Sequence, residues 1–219
     1  MPSDGLVLGV DTSGPYCSAA LIRGGDLLCE THQAMTRGQC EALFPLLEDL
    51  LSQAGAGWRD LALIGVGVGP GNFTGIRIAV SAARGLSLSL GVPAVGVTLL
   101  EAVALDTGGP VLAAVAAPQD RVYLQGFGTR ADVPLTLMPV EEVPMSWAGE
   151  GLEVVGAEAA RIAARLGVRH APAVHAPGAA VARVAARRPP KEVTPPVPLY
   201  LRPADAAPPR DMPPVIVDD

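Results

Sequence analysis

Five groups of residues have the types and spacings from which chemistry is built. Asp11, Thr12 and Ser13 set a carboxylate and two hydroxyls at the end of an apolar run over 6–10. Such a turn can hold a magnesium-bound phosphate. The same residues also join strands through local hydrogen bonds, and spacing alone favours that plainer role. A glycine loop carries Gly65, Gly67, Gly69, Gly71 and Gly75. It nowhere reads G-x-G-x-x-G, which excludes the dinucleotide fingerprint. Lys191 is the only lysine, which excludes a phosphate loop that needs one after its glycines. A helix capped by the Thr74 hydroxyl is expected next, with free N–H groups at its start for an anion. The glycines serve a phosphate, or a sharp turn with close helix–sheet packing, equally well.

The other three groups read as structure. His32, His170 and His175 make neither H-x-x-x-H nor H-E-x-x-H, so a metalloprotease is excluded. His170 and His175 sit in an alanine- and proline-rich stretch and read as solvated. Cys17, Cys29 and Cys40 lack metal or redox spacing, no G-x-S-x-G elbow is present, and buried structural cysteine is the expectation. Arg183, Arg187, Arg188 and Lys191 read as a solvated helix face rather than a phosphate contact.

These groups need elements to position them. The 219 residues, 49% apolar and 17% charged, suffice for one large domain or two small ones with real cores. A net charge of −6 argues against a stand-alone nucleic-acid binder. An odd cysteine count with no signal peptide or transmembrane run points to the cytoplasm. Strands are expected over 6–10, 17–22 and 26–30, with Gly24 and Gly25 as a hairpin turn. A helix over 36–54 places Leu43, Leu46, Leu47 and Leu50 on one face, widened by Phe44 and Leu51, with Pro45 kinking it or delaying its start. A strand over 63–68, the glycine loop, a second helix to Leu90 and a strand over 92–97 complete a parallel crossover unit. The second helix carries Ala79, Ala82, Ala83 and Gly85, small enough to admit another backbone. A weaker repeat of this order follows. Strands are expected over 111–116, 121–127, 135–140 and 154–155, and helices over 157–166 and 179–188. Ten of the 22 prolines lie from Pro189 onward, which predicts a tail or extended strap.

Taken together, the motifs resemble the bacterial TsaB (YeaZ) family over most of the chain. The matching stretches are LVLGVDTSGPYCSAAL from Leu6, TRGQCEALFPLLEDLL from Thr36, GPGNFTGIR from Gly69 to Arg77, GLSLSLGVPAVGVTLLEA from Gly85, and PLYLRPADA from Pro198. The resemblance implies an α/β, actin-like (ASKHA, ribonuclease H-like) fold of two duplicated subdomains, with mixed sheets flanked by helices. The first would span 1–105 and carry the partner-binding helices, the second 106–199, and a proline-rich tail 200–219.

It also implies a role in making threonylcarbamoyladenosine at the tRNA adenosine next to the anticodon. The subunit would be a non-catalytic activator. It would bind the catalytic paralogue TsaD and the ATPase TsaE, pair with itself when alone, and reach tRNA only through the complex, away from any membrane. No cofactor is expected in the isolated chain, ATP or ADP with magnesium belonging to the complex. Leu43, Leu46, Leu47, Leu50, Arg77, Ala79, Ala82, Ala83 and Leu86 are the expected partner-binding residues. Asp11, Thr12, Ser13, Gly69, Gly71 and Thr74 are a vestigial nucleotide or anion site. The histidine pair of TsaD-type proteins is missing. Where the family often reads DARRGEVY, this chain reads AAPQDRVY, with Ala116 at the aspartate and Arg121 at the glutamate position. Asn72 replaces a usual serine and Gln39 a frequent histidine. The alternative is an ATP-dependent kinase or ATPase of the same fold, with Asp11 as the metal-associated carboxylate.

Overall fold

The computed structural model describes residues 5–189 and 195–201. The chain opens with an antiparallel meander, β1 (Leu6–Asp11), β2 (Tyr16–Arg23) and β3 (Asp26–Ala34). Helix α1 (Gln39–Gln53) leads to β4 (Leu61–Gly67), and α2 (Phe73–Leu90) leads to β5 (Ala94–Val97). β4 lies parallel to both β1 and β5, so sheet 1 has the order β3-β2-β1-β4-β5. β1 is buried along its whole length, as a central strand covered on both faces must be.

After α3 (Leu99–Ala104) come β6 (Val111–Ala117), β7 (Arg121–Phe127), β8 (Thr136–Pro139), β9 (Glu153–Gly156), α4 (Ala159–Leu166), β10 (Arg169–Ala171) and α5 (Pro177–Arg187). Sheet 2 has the order β10-β9-β6-β7-β8. It repeats the plan of sheet 1, an antiparallel hairpin pair followed by parallel strands. α1 and α2 cover the outer face of sheet 1, where Leu43, Leu47 and Ile76 meet Leu8, Ile64 and Val66. α4 covers the outer face of sheet 2 through Ile162 and Leu166. α3 and α5 form the layer between the sheets, with Leu100 and Val181 touching a core that joins Leu63 of one sheet to Val115 of the other.

Several expectations change. Helix α2 is capped by Asn72, whose Oδ1 accepts from the Gly75 N–H at 2.8 Å. Thr74 is already inside the helix, so its hydroxyl is not the cap. α1 starts at Gln39, and Pro45 stays within it. Pro45 and Glu41 are exposed, so water can satisfy the carbonyl that the missing N–H leaves free. α3 escaped the periodicity because it is only six residues long. Its marker was Thr98-x-x-Glu101, a reciprocal capping box with bonds of 2.9 and 3.1 Å.

Helix α5, expected with the second unit, rests on sheet 1. Gly178 makes this possible: a Cβ there would come within 2.6 Å of the Ala19 Cα. Gly9 is equally tight against the Gly178 carbonyl and Ala182. Its arginines are not a free solvated row. Arg187 pairs with Asp106 at 2.9 Å, Arg188 pairs with Glu101, and Arg183 donates to the Gly25 carbonyl at 2.6 Å. His175 joins the same group, with Nε2 2.7 Å from Asp106, rather than standing free in solvent. These contacts hold the Asp106 carboxyl down near a pKa of about 2, Arg187 contributing most. Residues 195–201 return to sheet 1, where the Leu199 N–H donates to the Val68 carbonyl at 2.8 Å. Lys191 and residues 202–219 of the expected tail lie outside the described residues.

Gly178 separates packing from helix propensity. On propensity, Gly178→Ala should stabilise the chain by roughly 0.5–1 kcal/mol. Overlap with β2 predicts instead a loss of about 1–3 kcal/mol in chemical denaturation. Gly85→Ala, with open space around it, should show the propensity gain.

Candidate functional site

Asp11 ends β1 and is fully buried. Its Oδ1 accepts from the Ser13 N–H at 2.9 Å and from the Ser13 hydroxyl at 2.8 Å. Its Oδ2 is buried with no partner among the described residues. That oxygen lies against Gly67, where any Cβ would overlap it. Burial raises the Asp11 pKa, and the two Ser13 bonds offset part of the rise. Tyr16 is also pushed well above its ordinary pKa, by burial first and by the Asp11 charge second.

The turn after Asp11 is tied to the glycine loop. The Thr12 hydroxyl donates to the Gly75 carbonyl at 2.6 Å, and the Asn72 N–H donates to the Ser13 carbonyl at 2.7 Å. Gln39 closes the turn from the other side, its Nε2 donating to the Gly14 carbonyl at 2.8 Å. The glycine loop, whose Gly69–Pro70 bond is cis, therefore packs on the Asp11 turn.

A cleft of about 600 Å³ opens between the two sheets. Ser13, Tyr16, Gln39, Asn72, Ala116 and Tyr123 are among its walls, and no charged side chain is. Asp11 does not reach it. The six residues of the expected anion site are therefore split. Ser13 and Gly71 line the cleft. Asp11 and Thr12 are sealed behind it. Gly69 faces Ile76 and the Leu199 carbonyl. Thr74 opens toward the helices α1 and α2. Among the described residues no three His, Cys, Asp or Glu side chains gather as metal ligands.

The second concavity is a groove of about 560 Å³ between α1 and α2. Phe44, Ile78, Ser81, Ala82, Gly85 and Leu86 are among the residues lining it. The expected partner surface is only partly there. Leu46, Leu47, Leu50, Ala79 and Ala83 are buried against sheet 1. Leu43 is 1% exposed and forms the groove floor. The leucine stripe is the face that builds the core, which is what an amphipathic helix on a sheet ordinarily does. Phe44 is 44% exposed and stands beside Trp58, with ring centroids 6.3 Å apart, rather than widening the buried face.

Arg77, Ala82 and Leu86, also expected to bind a partner, line the groove. The Arg77 guanidinium lies 3.9 Å over the Phe73 ring, and its Nε donates to the Tyr200 hydroxyl at 2.9 Å. Sequence reasoning put Phe44 on the buried face and did not single out Ile78, Ser81 or Tyr200. Ser81 gave no signal because it sits off the apolar stripe of its helix. Cys40, expected to be buried, is exposed at the groove.

A protein-family profile described as TsaD, tRNA N6-adenosine threonylcarbamoyltransferase, matches residues 33–134. An uncharacterized protein of Mycobacterium tuberculosis (strain H37Rv) is 34% identical over 207 residues, covering 92% of this chain and 94% of that protein. The tRNA threonylcarbamoyladenosine biosynthesis protein TsaB of Escherichia coli is 32% identical over 122 residues, 53% of this chain and 52% of that protein. The solved structure of YeaZ from Pseudomonas aeruginosa superposes with a TM-score of 0.66 at 27% identity, covering 83% of this chain and 90% of that one. Among the described residues no helix is long and apolar enough to cross a membrane.

The buried carboxylate predicts a pH signature. A raised native pKa means that the folded state holds its proton longer than the unfolded state. Stability from this group is therefore present at low pH and is lost as pH rises from the model-peptide value of 3.8 through the native pKa. Asp11→Asn removes the titration and keeps an acceptor for Ser13. Its melting temperature, relative to the parent, should rise between pH 4 and pH 7 by a few degrees, roughly the effect of 1 kcal/mol. A pH-independent difference would contradict the burial argument.

Proposed function

Because this chain belongs to the TsaB (YeaZ) family, with its actin-like ASKHA fold, we propose that it serves tRNA threonylcarbamoyladenosine biosynthesis by docking the threonylcarbamoyltransferase TsaD rather than by catalysing a step. The observation that carries this reading is the apolar groove between α1 and α2. Its rim exposes Phe44, and its α2 wall is built of Ser81, Ala82 and Gly85, so another chain can approach the helix closely. Exposed apolar concavities of this kind lose contact with water when a partner covers them, at about 25 cal/mol per Å² of apolar area.

The non-catalytic part of the reading draws on the cleft. A phosphoryl-transfer site needs charge on its walls to hold phosphate and metal. Here Asp11 is sealed off, and no charged side chain lines the cleft. The ATPase TsaE would join through the docked pair, and tRNA would be met through the complex.

A second reading, an ATP-dependent kinase or ATPase, draws on the cleft volume of about 600 Å³. Magnesium-dependent ATP binding by the isolated chain, lost in Asp11→Ala, would favour it.

The docking reading is tested by reconstitution. TsaD should modify tRNA faster with this chain than without it. Ser81→Trp, which fills the groove from an exposed position, should weaken TsaD binding by roughly 30-fold, about 2 kcal/mol, with the melting temperature of the chain retained. Parent-like binding by this variant would overturn the assignment of the groove. Leu46→Glu with Leu50→Glu is not a clean test, because both leucines are core.

A further inference from the structure

We propose that the cavity at the foot of sheet 1, beside the guanidinium of Arg183, binds a small carboxylate with a hydrocarbon body. The layer between the two sheets opens at both ends. The cleft lies at the start of α5, where Pro177 is one of its walls. A second cavity, of about 270 Å³, lies toward the end of α5, where Arg183 and Arg187 border it. The turn of Gly24 and Gly25 between β2 and β3 forms its rim, with Gly5 at the approach to β1.

The cation is the first reason. Arg183 Nη1 donates to the Gly25 carbonyl at 2.6 Å. Its Nε is buried with no partner among the described residues. Buried N–H groups are nearly always bonded, and one left without an acceptor costs free energy. Nε shares an edge of the guanidinium with Nη2, and that edge offers two parallel N–H bonds to a carboxylate. Arg183 enters no ion pair among the described residues. Arg187 differs, because Asp106 takes both of its terminal nitrogens, at 2.9 and 3.3 Å. One uncompensated positive charge therefore borders the cavity.

The walls are the second reason. Val7, Ile22 and Leu63 line the cavity and belong to the core between the sheets. Among the described residues no acidic side chain lines it. A single cation beside apolar walls selects a single negative charge on an apolar body. A phosphate dianion would bring a second charge that nothing there compensates. An uncharged hydrocarbon would leave Nε unbonded. The cavity is slightly smaller than the roughly 300–1,000 Å³ of drug-sized ligand sites, so the occupant is small. The site is separate from the docking reading, since the α1–α2 groove lies on the other face of sheet 1.

The probe is 3-methylbutanoate, added to the ¹⁵N-labelled full chain. Saturable shifts are expected at the Gly5, Gly24 and Gly25 amides and at the Arg183 Nε–H resonance, with a roughly millimolar Kd, as suits so small a ligand. Acetate should bind roughly tenfold more weakly, because it takes fewer CH₂ groups out of water. Inorganic phosphate should also bind more weakly. Arg183→Lys keeps the charge but loses the fork, and should weaken binding about tenfold. Ala186→Leu narrows the cavity from an exposed position on its rim. It should weaken binding by a similar factor, with the melting temperature of the chain retained. If Arg183→Lys does not fold, Ala186→Leu decides alone. Absence of saturable shifts in the parent would overturn the proposal, as would parent-like affinity in either variant. Phosphate binding as tight as that of 3-methylbutanoate would overturn the ligand class. Binding that emerges only in Asp4→Asn would make a carboxylate of the chain itself the occupant, and would overturn the proposal as well.

Discussion

Helix α5 lies on sheet 1 with almost no side chain between the two backbones, and the architecture depends on that contact. Gly178 and Gly9 meet at the interface, and the Gly178 N–H donates to the buried Ser18 hydroxyl at 3.0 Å, across 160 residues of chain. Interiors are packed at crystal-like density, so such a contact has little slack. With α5 held there, its other side completes the layer on which α3 and sheet 2 pack. Arginines at the helix end then reach Asp106 and Glu101 and fix the connection between the sheets. The cleft opens at the edge of this layer, and its shape follows from how closely α5 sits.

The same closeness determines what the end of β1 can do. A carboxylate there would face the cleft if the turn after it were open. Instead, Thr12 and Ser13 bond to the glycine loop and to Asp11, and the loop packs down on the turn. The carboxylate keeps one pair of bonds and loses its water. Burying a charge without a full set of partners is costly, and the raised pKa of Asp11 is the electrostatic expression of that cost. The opposite wall of the cleft is built from Ala114 to Ala117 on β6 and the turn after it. A cleft so lined has shape and volume but no fixed charge.

On the far side of sheet 1 the helices do the opposite. α1 and α2 spend their leucine and alanine faces on the sheet and leave a groove between them that nothing in the described fold fills. Phe44 stays half-exposed because its helix is committed to the sheet by the residues on the next face. Arg77 is steadied by Phe73 beneath it and Tyr200 beside it, so one end of the groove is set by residues 123 apart in the chain.

Local rules sufficed for much of this. Runs of alternating and continuous apolar residues, bounded by turn residues, marked nine of the ten described strands, whereas β10 has no such run and was not expected. Gly69 to Arg77 marked the turn into α2 and carried the resemblance to a family. Local rules failed wherever the neighbour of a surface mattered. The leucine stripe of α1 has the same spacing whether a sheet or a partner covers it. Asn72 and Thr74 are both competent caps, and only the position of the first helical N–H decides between them. Asp11 is a carboxylate at a strand end in any arrangement. Gly67, Gly178 and the arginines of α5 acquire meaning only when segments up to 160 residues apart touch. Period, turn chemistry and composition are properties of adjacent residues, and the sequence by itself determined them. Burial, charge partnership and exposure are properties of what folds against what, and only the tertiary structure decided those.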